Sequence, residues 1–150
     1  MDLRTRHFGG IQVDDSKVIR FEEGLPGFPD DREFVLIVDE DDSQKNDKNM
    51  FYWLQSVNDG DTAFPMINVY NIMPSYNPMV VKDQVEEIEA MGDNLEIYNI
   101  VTIPEDAKKM TVNLKAPVVI NNKTNKGKQV ILNNDEYGVR HYIFDQMQSR

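Results

Sequence analysis

The chain has 150 residues, 40% of them hydrophobic and 28% charged, and a formal net charge of −10. This balance is typical of one soluble globular domain and excludes an intrinsically disordered chain. The sequence contains no cysteine, which excludes disulfides and cysteine-based zinc sites. It has no apolar run of transmembrane length and no apolar N-terminal stretch of the kind found in a signal peptide. We therefore expect a cytoplasmic protein away from the membrane.

Eight segments with alternating apolar residues predict β-strands. In chain order they are residues 7–13, 18–21, 34–38, 51–56, 63–70, 95–103, 110–120 and 129–132. Turn-forming runs such as Asn58-Asp59-Gly60 separate them. Many short strands with this spacing are typical of a barrel or a sandwich. Since no domain linker occurs, we expect a single mainly β domain over residues 1–145 and a flexible C-terminal tail at 146–150.

One segment between the predicted strands has a helical pattern. Asp83 and Glu86 have the spacing of a capping box. The apolar residues that follow recur on one helical face: Val85, Ile88 and Met91. A second helical turn is predicted after Pro104, where Glu105 and Asp106 suit a helix N-terminus. The sequence therefore adds one or two short helices to the strands.

The sequence gives no positive indication of a catalytic or metal site. The two histidines, His7 and His141, stand alone without a second ligand at helix or strand spacing. The acidic run at residues 39–42 resembles a calcium loop, but Gln44 and Met50 stand where that loop requires glycine and glutamate. No nucleophile elbow or phosphate-binding loop occurs. We therefore expect a protein that is not an enzyme and holds no cofactor.

The single tryptophan, Trp53, lies in the middle of a predicted strand. Tryptophan is enriched among the anchoring residues of protein interfaces. In the middle of a strand, however, it is more often part of the hydrophobic core. The sequence therefore predicts a core position for Trp53.

Acidic residues are concentrated in the N-terminal part of the chain. Residues 1–107 contain 8 basic and 23 acidic side chains, a net charge of −15, whereas residues 108–150 contain 8 basic and 3 acidic ones. Such a charge repels phosphate, so we expect no direct binding to nucleic acid. Its electrostatic partner is a basic protein or a cation. A charged surface that serves solubility alone is the other interpretation.

Three segments carry a more specific pattern. They are FEEGLPGF at residues 21–28, preceded by TRHFG at 5–9; WLQSV at 53–57, followed by Ala63-Phe64; and NLKAPVVIN at 113–121, followed by GKQVIL at 127–132. In order and spacing they resemble the FliW family of flagellar assembly factors, from Leu3 to Phe144. The match departs at residues 65–78, where a more hydrophobic strand with an Asp-Pro turn is expected.

The resemblance implies a compact, largely antiparallel β-barrel-like domain with short helices and a non-catalytic role. Proteins of this family bind CsrA, a small dimeric RNA-binding repressor, and they also bind flagellin. When flagellin is exported, the freed factor captures CsrA and relieves the repression of flagellin translation. We accordingly expect a monomeric protein with CsrA and flagellin as partners.

Two acidic surfaces are the predicted contacts with CsrA. The first is the loop formed by Asp39, Glu40, Asp41 and Asp42. The second is the polar face of the predicted helix, formed by Glu86, Glu87 and Glu89. Both follow from the charge argument, since acidic side chains attract a basic RNA-binding protein.

The glycine-rich motif has a structural interpretation. Gly24, Pro26 and Gly27 are expected to shape a tight connection. Leu25 and Phe28 are expected to pin this connection to the core.

A small β-barrel enzyme or ligand-binding domain with a polar pocket is the rival interpretation. A deep cavity lined by convergent carboxylates, or by His7 and His141, favours that rival. A filled core with partly apolar patches beside acidic side chains favours a binding protein.

Overall fold

The computed structural model describes residues 1–39, 51–80, 82–88 and 95–143. Within these ranges the strands are β1 Asp2–Thr5, β2 Gly9–Gln12, β3 Ile19–Arg20, β4 Glu33–Asp39, β5 Phe51–Ser56, β6 Ala63–Ile67, β7 Leu95–Thr102, β8 Thr111–Val112, β9 Val118–Asn121, β10 Lys126–Gln129 and β11 His141–Tyr142. One α-helix, α1 Lys82–Val85, lies in the same described part. The mainly β prediction is therefore confirmed. The predicted tail at 146–150 lies outside the described residues.

Seven strands close into a barrel in the order β3, β4, β5, β6, β7, β9 and β10. Neighbouring strands are antiparallel, except that β10 meets β3 in a parallel pairing of Lys126 with Arg20. The long strand β7 closes the ring because it changes partner along its length. Its first half pairs with β9, from Leu95–Asn121 to Tyr98–Val118, and its second half pairs with β6 and β8. The predicted barrel-like architecture is confirmed.

Alternation along the strands fills the barrel interior. Strand residues two apart point to the same face, and the inward ones form one buried cluster: Phe34, Leu54, Met66, Tyr98, Val118 and Ile120. Phe21, which follows β3, packs among them and is fully buried. A second cluster lies around β8 and β11, and a third joins α1 to β9 and to the residues after β10. Apolar burial of this kind is the main stabilising contribution to the fold.

A close contact inside the barrel joins two segments of the sequence pattern. Gly127 lies against the ring of Phe21, where a Cβ atom would stand 2.5 Å from the ring Cζ. Any larger side chain at this position therefore displaces the Phe21 ring. The glycine has a packing role, which accounts for its place in the third segment of the pattern.

Strand boundaries differ from the prediction where side chains interrupt the ladder. Residues 110–120 form two strands, because the Asn113 side chain accepts hydrogen bonds from the backbone N–H groups of Lys115 and Ala116. Such local bonds compete with the sheet. Pro117 stands immediately before β9, at a position where its missing N–H is tolerated. Strands β1 and β11 were not predicted, and β10 begins three residues before the predicted segment.

The predicted helix begins earlier than expected, and its predicted end at Met91 and Gly92 lies outside the described residues. The α-helix spans Lys82–Val85 and continues as a 3-10 helix over Glu86–Ile88. Asp83 therefore lies one residue inside the helix rather than at the predicted position before it. Val85 and Ile88 are buried, as the apolar spacing predicted. The second helical turn is confirmed as a 3-10 helix over Ala107–Lys109, which Asp106 caps by accepting a hydrogen bond from the Lys108 N–H.

The N-terminal hairpin of β1 and β2 forms a separate two-stranded sheet beside the barrel. The Arg6 N–H donates a 3.0 Å hydrogen bond to the carbonyl of Gly60, in the loop between β5 and β6. Gly60 has no room for a side chain, since a Cβ atom there would lie 2.1 Å from the Arg4 carbonyl oxygen. This close backbone approach fixes the hairpin against one end of the barrel.

Candidate partner-binding surface

The structure describes part of the predicted acidic surface. Asp39 ends β4, where its backbone pairs with Phe51 of β5. Glu86 is exposed at the start of the 3-10 helix that also contains Glu87. Outside the described part of the structure lie the side chains of Asp39 and Glu87 and the whole of Glu40, Asp41, Asp42 and Glu89. Their contact with a partner stays a prediction.

The two histidines belong to different parts of the fold. His7 is exposed in the turn between β1 and β2, whereas His141 lies in β11 and pairs with Val112 of β8. Among the residues that the structure describes, no three histidine or carboxylate side chains stand close enough to hold a metal ion. The two histidines thus belong to separate sheets, whereas one cavity lined by both would have favoured the rival interpretation.

Trp53 does not occupy the barrel interior, so its predicted core position is wrong. Its neighbours Tyr52 and Leu54 pack with the interior cluster, which turns Trp53 to the outer face. There it is half-buried beneath the hairpin turn. Its ring stacks on His7 with centroids 5.1 Å apart and meets Phe8 edge-on at 5.7 Å. Trp53 thus joins the barrel to the hairpin.

The glycine-rich segment forms a tight, hydrogen-bonded turn between β3 and β4. The Phe28 N–H donates to the Leu25 carbonyl at 2.7 Å, and the Gly24 N–H donates to the Phe21 carbonyl at 2.9 Å. Gly24 and Gly27 have φ angles of +64° and +87°, a region that glycine enters without strain. A Cβ atom at Gly24 would also lie 2.4 Å from the Phe28 carbonyl oxygen. The predicted tight connection is confirmed.

Leu25 and Phe28, two apolar residues of this turn, differ in how deeply they are buried. Leu25 is 3% exposed and packs into the barrel cluster, as predicted. Phe28 is 43% exposed, so the prediction that it is pinned in the core is wrong. Its ring packs against Phe64 of β6 in an edge-to-face contact, with ring centroids 5.3 Å apart. The turn therefore presents an aromatic ring to solvent.

A surface groove of about 340 Å³ lies beside this ring, and we call it the Phe28 groove. Its walls are residues 27–31 of the turn and Asn58 and Asp59 of the loop between β5 and β6. The Ser56 hydroxyl donates a 2.9 Å hydrogen bond to Asp31, which connects the two walls. The groove thus combines an apolar side, formed by Phe28 and Pro29, with a polar side.

Carboxylates dominate the polar side of the Phe28 groove. Asp30 and Asp59 are exposed and Asp31 is half-buried. None of the three forms an ion pair with another described residue. The nearby Arg32 directs its Nε to the Pro29 carbonyl at 3.4 Å, and the Asn58 amide reaches Glu33 at 3.4 Å. The groove is therefore net negative.

The sequence contained a signal for this surface. Phe28 is followed at once by Pro29, Asp30 and Asp31, a composition typical of an exposed turn rather than of a core segment. Interpreted as a family motif, the same segment instead predicts a turn shaped by glycines with Phe28 in the core. Asn58 and Asp59 were recognised as turn residues, but their position beside Phe28 depends on strand pairing that the sequence does not display.

None of the helices in the described ranges is long and apolar enough to cross a membrane.

A family model described as FliW protein matches residues 2–143. The chain is 42% identical to the flagellar assembly factor FliW of Alkaliphilus metalliredigens (strain QYMF), over 99% of this chain and 89% of that protein. It is 41% identical to the flagellar assembly factor FliW of Thermoanaerobacter pseudethanolicus (strain ATCC 33223 / 39E), over 99% of this chain and 97% of that protein. A crystal structure of the flagellar assembly factor FliW matches with a TM-score of 0.84 and 32% identity, covering 96% of this chain and 97% of that one. The chain therefore belongs to the FliW family.

Proposed function

We propose that this protein is a cytoplasmic flagellar assembly factor that acts by stoichiometric binding of CsrA and flagellin, without catalysis. The observation that carries the proposal is the family match over residues 2–143, together with relatives named flagellar assembly factor FliW over nearly the whole chain. Captured CsrA no longer represses flagellin translation. Flagellin competes for the factor, so its level sets how much CsrA is captured.

The charge of the chain supports CsrA as a partner. An RNA-binding repressor is basic where it meets phosphate. Residues 1–107 carry a net charge of −15. This charge attracts a basic protein over a distance and raises the rate at which the two proteins associate. Once bound, the same negative field disfavours RNA in the neighbourhood of the complex. Charge alone therefore gives both attraction to CsrA and antagonism towards its RNA.

The filled barrel supports binding rather than turnover. Phe34, Leu54 and Met66 have no exposed surface, and they occupy the space where small barrels of other kinds hold a ligand. Contacts with partners are consequently made by the outer surface. Two acidic sets are our proposed electrostatic contact with CsrA: Asp39, Glu40, Asp41 and Asp42 in one, and Glu86, Glu87 and Glu89 in the other.

Competition between the partners follows from linkage. If CsrA and flagellin exclude each other, flagellin at a hundred times its own Kd weakens the apparent affinity for CsrA about a hundredfold. No conformational change is needed for this response. The factor then reports the concentration of free flagellin through mass action alone.

Calorimetric titration of the purified monomeric chain with purified CsrA, and separately with flagellin, tests this proposal. We expect saturable binding to each protein, and we expect flagellin to displace CsrA in a third titration. Light scattering establishes beforehand that the free chain has the 17.4 kDa mass of a monomer. Absence of binding to both proteins at micromolar concentration would contradict the proposed function.

A further inference from the structure

The proposed acidic contacts account for fast association with CsrA, but they do not explain what slows dissociation of the complex. Exposed charges mainly change the association rate, whereas desolvated apolar centres slow dissociation. Interfaces usually contain a few aromatic anchors at their centre with polar residues around them. An anchor for this protein must therefore be an exposed apolar group with acidic surroundings.

Phe28 is such a group, because its ring is exposed to solvent and also packs against a neighbouring ring. Its ring is 43% exposed and packs edge-to-face against Phe64, with ring centroids 5.3 Å apart. The turn that carries it is closed by reciprocal backbone hydrogen bonds between Leu25 and Phe28, of 3.3 and 2.7 Å. A ring held in this way loses little conformational freedom on binding, which favours affinity.

The surroundings of Phe28 determine the chemistry of the occupant. Asp30, Asp31 and Asp59 line the groove beside the ring, and no described residue neutralises them through an ion pair. An acidic segment is repelled by this arrangement. A segment with an apolar side chain next to lysine or arginine satisfies both sides of the groove, since its apolar group covers Phe28 and its cation meets the carboxylates.

We infer that the Phe28 groove is the anchoring site for a cationic segment of the basic partner, in which an apolar side chain adjoins lysine or arginine. This inference rests on the proposed function, which identifies that partner as CsrA. Phe28 supplies the desolvated contact that slows dissociation. Asp30, Asp31 and Asp59 fix the register of the cationic segment.

Binding kinetics of two full-length variants test the role of Phe28. Phe28→Ala removes the ring, and Tyr142→Ala removes another exposed aromatic ring, on β11, which is 66% exposed. We expect Phe28→Ala to accelerate dissociation of CsrA at least tenfold, and we expect Tyr142→Ala to change it less than twofold. Thermal unfolding of both variants establishes that they fold.

A second pair of variants tests the charge of the groove without touching its packing. Asp30→Lys reverses an exposed carboxylate that makes no hydrogen bond with another described residue, and Glu105→Lys makes the same charge change at an exposed site on the segment before β8. We expect Asp30→Lys to weaken CsrA binding at least fivefold more than Glu105→Lys. Because neither side chain is buried, this pair remains informative if Phe28→Ala does not fold.

Three results would overturn the inference. The first is unchanged CsrA dissociation from folded Phe28→Ala. The second is equal weakening by Asp30→Lys and Glu105→Lys. The third is a loss of flagellin binding in Phe28→Ala with CsrA binding intact, which would assign the groove to the other partner. If the unaltered protein binds no CsrA at all, the proposed function fails together with the inference, and this outcome is distinct from the other three.

Discussion

The side-chain amide of Asn99 donates a 3.1 Å hydrogen bond to the hydroxyl of Tyr76. The same amide donates to the carbonyl of Asn113 at 2.9 Å, and the Tyr76 hydroxyl donates to the carbonyl of Leu114 at 2.8 Å. Asn99 has no exposed surface and Tyr76 is 3% exposed. These bonds connect β7 to the loop after β6 and to the bend before β9. They reinforce the place where the β7–β8 ladder ends, next to the hydrogen bond from the Asn113 N–H to the Ile100 carbonyl.

Loss of this network is expected to destabilise the fold. Tyr76→Phe leaves the Leu114 carbonyl without its donor, and a buried unsatisfied group costs about 1–3 kcal/mol. Asn99→Ala removes both amide bonds and is expected to cost a similar amount. Because the two residues are in contact, the double variant is expected to depart from additivity by about 0.5 kcal/mol or more. Urea unfolding of the four proteins measures this coupling, and strict additivity would contradict it.

Alkaline pH is expected to weaken the fold through the same tyrosine. Burial raises the pKa of Tyr76 to about 12, whereas tyrosine in an unfolded chain titrates near pH 10. The folded state thus holds this proton more tightly than the unfolded state. Its contribution to stability is complete below pH 10 and is lost as pH rises towards 12. Two pKa units correspond to roughly 3 kcal/mol.

Denaturant unfolding between pH 9 and pH 12 measures this loss. Burial also raises the pKa of Tyr98, and the nearby Glu96 acts in the same direction, so part of the alkaline loss remains in any Tyr76 variant. Tyr76→Phe is expected to show a smaller fall in unfolding free energy over this range than the unaltered protein. Equal falls in the two proteins would contradict the assignment to Tyr76.

The two glycines of the turn are expected to differ in their tolerance of alanine. At Gly27 the only obstacle is the positive φ angle, since the space beside it is open, and the cost is about 1–2 kcal/mol. At Gly24 a Cβ atom also meets the backbone of Phe28 and Pro29 at 2.4–2.8 Å. Gly24→Ala is therefore expected to lower the melting temperature more than Gly27→Ala. Equal melting temperatures would contradict this expectation, because they would show that the backbone around Gly24 makes room for a Cβ atom without a loss of stability.

Amide substitutions in the acidic loop are expected to change association more than dissociation. Replacement of Asp39, Glu40, Asp41 and Asp42 by their amides removes charge while keeping shape. Exposed charges are screened beyond about 8 Å at physiological salt, so the association rate with CsrA is expected to fall at low salt and to converge on that of the unaltered protein at high salt.

The helix set, Glu86, Glu87 and Glu89, forms a second and independent test. Stopped-flow measurements at several salt concentrations compare its amide variant with Glu105→Gln, a single exposed carboxylate that lies in neither acidic set. If the association rates of both amide variants match that of Glu105→Gln, neither acidic set belongs to the interface. This result would leave the family assignment unaffected.

The sequence is most informative for strand β5, which matches its predicted segment to the residue. Its Tyr52 and Leu54 pack with the interior cluster, as the apolar spacing predicts. Strands β1 and β11 are not predicted, because they span only four and two residues. In addition, β11 pairs with β8, where His141 lies opposite Val112, 29 residues earlier in the chain. Propensity within such a short segment is too weak to compensate for the missing context.

The candidate site was less predictable than the fold. The position of the Phe28 ring depends on its contact with Phe64, which lies 36 residues away in the chain. Similarly, the sequence places Trp53 within a strand, but it does not show which of the two alternating sets of side chains on that strand faces the barrel interior. These features are decided by closure of the sheet, a property of the whole chain rather than of any segment.

Release of RNA from CsrA tests the central claim most directly. Fluorescence anisotropy reports CsrA bound to a labelled target RNA, and the purified chain is then added in increasing amounts, followed by flagellin. We predict that anisotropy falls as the chain reaches stoichiometry with CsrA and rises again when flagellin is added. Anisotropy that stays high with the chain in micromolar excess over CsrA would contradict the account.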